Sequence, residues 1–448
     1  MVTPGTNLNV QSLEAGKNNY LLSIAYTPDG IGISAADVTT GDYYVTEVED
    51  LKKLNDELMK YEPSEIICNE AFLVSGFDVN DLKSRLHISV NALESHMFDD
   101  DGCRRILMKH FKVNTLIGLG VEEFPTGLLA AGALLQYLYD TQKTDLEHFT
   151  HIYPYLTSKY MLLDSSTRRN LELTETLREK QKRGSLLWVL DKTKTAMGAR
   201  LLRNYIEQPL IEKDEMEKRL DAIQELNQDS ISRDEIREYL NPIYDLERLL
   251  SKVTYKTANP RDLIAFRNSL QMLPPIKTVL SAFEKEELTK IREQIDGLED
   301  IYQLIDEAII DEPPLSIREG GMIKDQFDET IDRLRSAKHD GKQWLAQLEE
   351  EDRERTGIKN LKIKYNKVFG YYFEVTNSYK NLVPEDYIRK QTLANAERYT
   401  TPRLKELEDT ILNAEDKLQT LEYDVFCRIR DTIAQELVRI QNLSLIHI

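Results

Sequence analysis

Apolar and polar side chains alternate along the first part of the chain. Between residues 19 and 48 apolar positions recur at every second residue, and turn-forming residues interrupt the pattern at 28–30 and 39–42. A period of two is typical of half-buried strands. The pattern therefore predicts an antiparallel meander.

Helical spacing follows the meander. A helix is predicted at 49–61, a short apolar strand at 64–68, and a packed helix rich in alanine and leucine near 126–143. Strands followed by strand–helix units are typical of a small α/β domain, in which helices cover a sheet. We place this domain at 18–148.

The pattern changes near residue 150, beyond which period-two alternation is almost absent up to about residue 355. Apolar residues at helical spacing instead predict an all-α region. The predicted helices are 174–190, 196–207, 212–227, 231–251, 260–283, 284–309 and 322–352. Because proline disrupts a helix interior, Pro274-Pro275 predicts that the helix at 260–283 is kinked or split.

Two stretches have coiled-coil spacing. Apolar residues lie three and four positions apart in 324–352 and again in 401–440. Thr401 and Pro402 are well suited to be the N-cap and the first residue of the second helix. The two stretches predict a pair of long antiparallel helices that flank an insertion.

The insertion differs in pattern and in charge. Residues 361–365 and 371–375 alternate at strand spacing, which predicts a β-hairpin. Residues 356–405 contain ten lysines and arginines against four aspartates and glutamates, a net charge of +6, whereas the whole chain carries −19. A basic surface on an acidic protein favours binding of a polyanion, although lysines on a hairpin also protect an exposed strand edge.

Composition excludes several classes of protein. No run of about 18 apolar residues could span a membrane, and the first ten residues lack a secretory signal pattern. Cys68, Cys103 and Cys427 are far apart, as expected of reduced thiols in a cytoplasmic protein. The seven histidines show no HxxxH or HExxH spacing, and no GxxxxGK[ST] phosphate-binding sequence occurs. The sequence therefore predicts no catalytic residue, no metal site and no cofactor in this chain.

Two other functions are consistent with parts of the sequence. A metal-dependent nuclease of the ribonuclease-H type would use clustered carboxylates, for which Asp37 and Glu70 are the candidates. Asp37 also fits a turn, and no third or fourth acid is convincingly placed. The heptad helices are also consistent with a structural coiled-coil spacer or dimerisation protein, which needs only a short turn between them. Gly320-Gly321 predicts a hinge before a long helix rather than a phosphate site.

Several long segments resemble the MutS family. The segment LKIKYNKVFGYYFEVTNSYKNLVPEDYIRKQTLANAERYTTPRLKELE, at 361–408, resembles the family's clamp. GISAADVTTGDYYVTE, at 32–47, resembles its connector domain. Further resemblance to the core helices lies at 162–210, 258–263 and 317–335, so the similarity covers about residues 2–440.

The resemblance implies a multidomain α+β fold. It consists of a small ribonuclease-H-like α/β connector domain and an all-α lever and core domain with an inserted antiparallel β-rich clamp at the tip of long paired helices. The implied boundaries are a linker at 1–17, the connector at 18–148, core and lever at 149–355, the clamp at 356–405 and the returning helix at 406–448. The family's mismatch-binding and ATPase domains do not match any part of the sequence, which predicts an incomplete reading frame or an excised fragment.

The resemblance also implies a function in DNA mismatch repair. Members of the family encircle double-stranded DNA as dimers, contact a MutL-like protein through the connector, and use ATP and Mg²⁺ in the ATPase domain. We therefore expect the chain itself to be no enzyme but to bind the duplex backbone weakly and without sequence preference. The residues expected to contact phosphates are Lys367, Lys380, Arg389, Lys390, Asn395 and Arg398.

Overall fold

A computed structural model describes residues 2–9, 12–144, 146–366 and 368–444. The chain divides into two compact units. One comprises Met1–Ala258, Asp262–Gln303 and Arg430–Ile448, and the other comprises Asn259–Arg261 and Leu304–Ile429. No helix in the described ranges is both long and apolar enough to cross a membrane.

The first unit contains a six-stranded mixed sheet. Its strands are β1 (Leu21–Thr27), β2 (Gly30–Asp37), β3 (Asp42–Val48), β4 (Glu65–Asn69), β5 (Ser89–Leu93) and β6 (Tyr153–Pro154). The spatial order is β5-β4-β1-β2-β3-β6. The first three strands form the predicted antiparallel meander, and the others join it in parallel pairs. The strand predicted at 64–68 is also confirmed.

Helices cover this sheet. They are α1 (Leu51–Tyr61), α2 (Glu70–Leu73), α3 (Val79–Arg85), α4 (Asp100–Phe111) and α5 (Pro125–Gln142). The first turn of α5 is fixed by Glu47 of β3, whose Oε1 accepts the N–H groups of Thr126 (2.5 Å) and Gly127 (2.9 Å). Gly32 of β2 lies beneath that turn, and a Cβ there would overlap the Thr126 carbonyl oxygen. Sheet and helix therefore meet backbone to backbone.

The residues after 150 are mostly helical, as predicted. The helices that follow are α6 (Ser165–Asn170), α7 (Leu186–Leu190), α8 (Ala196–Glu207), α9 (Lys213–Gln228), α10 (Ser230–Leu240), α11 (Leu246–Thr254), α12 (Pro260–Leu270), α13 (Leu273–Leu280), α14 (Glu286–Gln294) and α15 (Glu299–Ala308). The chain continues with α16 (Glu329–Thr356), β7 (Lys362–Asn366), β8 (Gly370–Thr376), β9 (Ile388–Thr392), β10 (Ala396–Thr400), α17 (Pro402–Gln435) and α18 (Leu437–Ser444).

One predicted helix is wrong. Of the stretch 174–190, only Leu186–Leu190 is α-helical. Lys180 and Gly184 adopt positive φ angles of 52° and 98°, which a right-handed helix does not accommodate. The polar residues around them offer few apolar side chains to bury, so packing does not stabilise a helix here.

Other predicted helices differ in their ends. The stretches 231–251 and 284–309 each form two helices, and the helix predicted at 322–352 begins only at Glu329. The stretch 260–283 is split after Leu270, as the paired prolines predicted. Short polar or proline-containing links interrupt these patterns without changing their helical period.

In the second unit α16 and α17 form the predicted antiparallel arm. Arg335 of α16 lies 2.5 Å from Glu422 of α17, and at the other end Arg403 lies 2.7 Å from Glu351. Between these pairs Gly341 faces Ile411 so closely that a Cβ on the glycine would lie 2.5 Å from Ile411 Cγ1. Residue numbers rise along one helix as they fall along the other, so the helices are antiparallel.

Candidate nucleic-acid interface

The insertion between α16 and α17 folds into a four-stranded antiparallel sheet in the order β7-β8-β10-β9. The predicted hairpin is β7 with β8, and it pairs Ile363 with Phe373. Phe373 and Tyr399 pack in a core that Leu348 of α16 and Leu404 of α17 complete. The arm helices therefore hold the sheet at their end, and Thr401 starts α17 by accepting the Leu404 N–H at 3.1 Å, as predicted.

Glu397 on β10 contacts two basic side chains on one face of this sheet. Its side chain is only 3% exposed, yet Lys380 Nζ lies 2.7 Å from its Oε1 and Arg389 Nη1 lies 3.6 Å from the same oxygen. The Tyr399 hydroxyl donates to the other carboxylate oxygen. Hydrogen bonds from Lys380 and Tyr399 lower the pKa of Glu397 below its usual value. The ionised carboxylate thus holds both basic side chains at the surface.

Glu397→Gln is expected to lower the melting midpoint near neutral pH, because the amide keeps the shape but loses the charge that Lys380 and Arg389 pair with. A carboxyl whose pKa is lowered by folding stabilises the protein above its unfolded pKa, and this contribution is lost as pH falls through the folded pKa. The difference in melting midpoint between the parent and Glu397→Gln should therefore shrink as the pH falls from ~7 to ~3 in thermal unfolding.

Glu385→Gln is the matched control, because Glu385 is an exposed acid of the same insertion without an ion pair among the described residues. Its midpoint should follow that of the parent at every pH. If the difference in melting midpoint between the parent and Glu397→Gln stays constant with pH, the charge-based role of Glu397 is contradicted.

Arg398 lies on the other face of the sheet, because neighbouring residues of a strand point to opposite faces. Its guanidinium covers the ring of Tyr372 with 4.4 Å to the ring centroid, and its Nη1 donates to Gln391 at 2.8 Å. On the same face Lys364 pairs with Glu374 at 2.8 Å. This face therefore carries its own, separate group of cations.

The six residues predicted to contact phosphates do not form one surface. The structure brings Lys380 and Arg389 together at Glu397, whereas Arg398 lies across the sheet. Lys390 is exposed, has no ion pair among the described residues, and is the extra residue where the pairing of β9 with β10 shifts register. Asn395 is exposed in the turn before β10. Lys367 lies outside the described residues.

Ion pairs use much of the positive charge that the sequence places here. Five of the basic residues in 356–405 contact acids, namely Lys364, Lys380, Arg389, Arg403 and Lys405. Some of these acids belong to the arm helices α16 and α17. Lys359 and Lys362 are exposed and have no ion pair among the described residues, like Lys390. Both lysines contribute to the +6 charge of the insertion but are not among the six residues predicted to contact phosphate. The pattern that could have identified Lys362 is its place on β7 between the less exposed Leu361 and Ile363.

Comparison with known proteins agrees with this architecture. A family model described as MutS domain III matches residues 166–446, and one described as MutS domain II matches residues 19–150. The chain belongs to the MutS family. It is 63% identical over 444 residues to the DNA mismatch repair protein MutS of Lachnoclostridium phytofermentans, a match that covers 99% of this chain and 48% of that protein.

Two other MutS relatives match the same extent of this chain. The DNA mismatch repair proteins MutS of Ruminiclostridium cellulolyticum and Acetivibrio thermocellus are 49% and 47% identical to this chain. Each match covers 99% of this chain and 51% of the relative. The chain therefore spans about half the length of the curated MutS proteins it matches.

The nuclease alternative for this MutS chain gains no support from the structure. Asp37 is fully buried at the end of β2, where it accepts the N–H groups of Asn19 (2.9 Å) and Thr39 (2.8 Å). These bonds fit the turn role that the sequence also allowed. Glu70 is exposed at the start of α2. The described part of the chain has no group of three or more residues suited to hold a metal ion.

The Gly320-Gly321 pair precedes α16 but does not lie at its start. Both glycines have positive φ, 69° and 74°, and the helix begins eight residues later with Asp328 as its N-cap. The Gly321 N–H donates to the buried Glu422 carboxylate of α17. An anion could not use this amide without displacing that carboxylate, so the structure does not support the phosphate site that the sequence disfavoured. The hinge stays a prediction.

None of the three cysteines forms a disulfide bond among the described residues, which agrees with the sequence. Cys68 and Cys103 are buried, and burial raises the pKa of the first to about 11 and of the second to about 12. Both therefore remain protonated near neutral pH and are poor nucleophiles.

Proposed function

We propose that the four-stranded sheet at the end of the arm helices binds the backbone of double-stranded DNA, as part of DNA mismatch repair. The carrying observation is a set of exposed basic residues on and beside both faces of a small sheet held by two long helices, in a chain whose net charge is −19. Relatives that are up to 63% identical and named DNA mismatch repair protein MutS support the assignment.

Contacts to phosphate fit the chemistry of these residues. Lys390, Lys359 and Lys362 offer charges that no acid among the described residues neutralises. Lys380 and Arg389 have exposed side chains (53% and 60%) and can exchange Glu397 for a phosphate oxygen. Asn395 would donate a neutral hydrogen bond. Such contacts position a duplex without reading its sequence, so binding is expected to be weak and independent of sequence.

The triple substitution Lys380/Arg389/Lys390→Ala is expected to weaken duplex binding about tenfold or more at low salt. Each lost phosphate contact also removes about 0.9 from the slope of log affinity against log salt. The slope should therefore fall by about 2–3 if all three residues contact phosphate. Fluorescence anisotropy with a labelled duplex of mixed sequence, titrated at several salt concentrations, measures both quantities.

A matched control removes the same charge elsewhere. Lys52, Lys83 and Lys109 are exposed on helices of the first domain, and none has an ion pair among the described residues. Their joint replacement by alanine should leave the slope within error of the parent. If the insertion triple variant behaves like this control, the DNA-binding assignment of the sheet is wrong.

The resemblance to the MutS family also leads us to propose partners and an assembly for this chain. The first domain is proposed to be the ribonuclease-H-like connector that contacts a MutL-like protein, and the protein is proposed to act as a homodimer on DNA. ATP and Mg²⁺ are proposed to act outside this chain, because the sequence contains no GxxxxGK[ST]. A mere coiled-coil spacer would not need a four-stranded sheet with exposed lysines between its helices.

A further inference from the structure

A buried carboxylate contacts two of the cations that we assign to DNA binding. The Glu397 side chain is 3% exposed, whereas those of Lys380 and Arg389 are 53% and 60% exposed. Lys380 Nζ and Arg389 Nη1 lie 2.7 Å and 3.6 Å from the same carboxylate oxygen, Oε1. The two basic groups therefore share one internal anion, while about half of each basic side chain stays open to solvent.

Neither cation loses its capacity to bind phosphate through this contact. A lysine ammonium has three N–H donors and an arginine guanidinium has five, so Lys380 and Arg389 each keep donors for a phosphate oxygen. Because both groups approach the same oxygen of Glu397, they also lie close to each other. A phosphate that binds to this pair of cations would be the second anion beside them.

The first anion opposes the second. Like charges repel, and a buried charge is poorly screened because little water surrounds it. Glu397 also offsets one of the two positive charges, so the three side chains together carry a single net positive charge. Hydrogen bonds from Lys380 and Tyr399 lower the pKa of Glu397, so its negative charge is present throughout the neutral pH range.

The backbone brings both cations to this place without help from Glu397. Arg389 belongs to β9 and is the register partner of Tyr399 on β10. Lys380 lies in the 3-10 turn Asn377–Leu382, which directly follows β8. Since the sheet already fixes where both side chains begin, the charge of Glu397 should affect phosphate binding more than its ability to orient them.

We propose that Glu397 is an internal competitor of the DNA phosphates, which keeps the contact of Lys380 and Arg389 with the duplex weak and reversible. This inference rests on the proposed function, because it assigns a regulating residue to the same DNA-binding sheet. In the free protein the carboxylate takes the place of a phosphate beside the two cations, and in the complex it repels the phosphate that binds there. Weak contacts to the backbone let a protein move along a duplex.

Glu397→Gln tests the proposal, because the amide keeps the shape of the side chain and loses its charge. The amide oxygen can still accept a hydrogen bond from Lys380, and the amide nitrogen can donate one to the Tyr399 hydroxyl. Fluorescence anisotropy of the full chain with a labelled duplex of mixed sequence should show an affinity about three- to tenfold higher than that of the parent. The salt concentration should be about 100 mM, where contacts at short range are still weakly screened.

The sign of this change separates competition from a structural role. Glu397→Gln is expected to lower the melting midpoint near neutral pH, because Lys380 and Arg389 lose their ionised partner. A residue that only supports the fold or orients the cations would weaken DNA binding when it is replaced. A variant that is less stable and yet binds DNA more tightly is expected only if the carboxylate competes with phosphate.

Control variants distinguish this contact from a general effect of charge. Glu385→Gln removes the same charge from an exposed acid of the insertion that has no ion pair among the described residues, and should raise the affinity less than about 1.5-fold. The gain from Glu397→Gln should shrink in a Lys380→Ala background, because the lysine nearest to the carboxylate is gone. It should persist in a Lys390→Ala background, since Lys390 has no ion pair in the described part of the chain.

The outcomes also separate this inference from the DNA-binding proposal. If Lys380/Arg389/Lys390→Ala weakens binding but Glu397→Gln leaves it unchanged or lowers it, DNA binding by the sheet stands and the competitor role is overturned. An equal gain in Glu385→Gln, or a gain that is undiminished in the Lys380→Ala background, also overturns the competitor role. Absence of duplex binding by the parent overturns both.

Discussion

Arg200→Met is expected to lower the free energy of unfolding by about 3–5 kcal/mol. The Arg200 side chain is 4% exposed and holds Asp245 and Glu247 at 2.6–2.7 Å. It also donates to the backbone carbonyl of Ala15 at 2.9 Å, which ties the N-terminal segment to α8. Methionine fills a similar volume but leaves buried carboxylates without their cation, and that unpaired charge is the main cost.

Urea unfolding followed by circular dichroism measures this effect. Arg183→Met is the matched control, because Arg183 is exposed and has no ion pair among the described residues, so its change should stay within about 0.5 kcal/mol. A double variant that also carries Asp245→Asn should recover part of the loss. A loss below about 1 kcal/mol in Arg200→Met would show that the carboxylates find other partners.

Gly32→Ala is expected to destabilise the first unit by about 3 kcal/mol. The added Cβ would overlap the Thr126 carbonyl oxygen and lie 2.5 Å from the Gly127 nitrogen. Both atoms belong to the first turn of α5, whose amides are bonded to Glu47. Because backbone rather than a flexible side chain is in the way, relief requires α5 to move away from the sheet, and packing around it is lost.

The same urea titration measures this loss, and hydrogen exchange of β2 amides should show faster opening in the variant. Gly118→Ala is the control, since a Cβ at Gly118 meets no atom within 4 Å and its φ is not positive. That change should be neutral or slightly stabilising, because alanine restricts the unfolded chain. Equal destabilisation by both substitutions would contradict the close contact at Gly32.

The spacing of apolar residues predicted those elements whose structure depends on neighbouring residues in the sequence. The period of two at 19–48 gave the meander, and the heptads of 401–440 together with Thr401 gave α17 and its first residue. The hairpin of β7 and β8 was visible because buried and exposed residues alternate there. In α17 one face of the helix is buried, so the pattern and the packing agree. The strands β1 and β2 are instead buried on both faces.

Features that depend on distant residues were not predictable in the same way. The strand β9 is mostly exposed, so its polar sequence carries no alternating pattern, and it is recognised only by its pairing with β10. The acids Glu351 and Glu408, which neutralise basic residues of the insertion, lie outside its boundaries. Nor does the sequence show that Glu397 points toward two cations while Arg398 points away from them.

The meeting of Gly341 with Ile411 has a mechanical consequence for the arm. Ile411 lies against Gly341 at a point where no Cβ would fit. Arg335 with Glu422 and Arg403 with Glu351 pair the helices on either side of this contact. A lengthwise slip of one helix along the other would have to move Ile411 away from Gly341 and break both ion pairs, so these contacts fix the register of the arm.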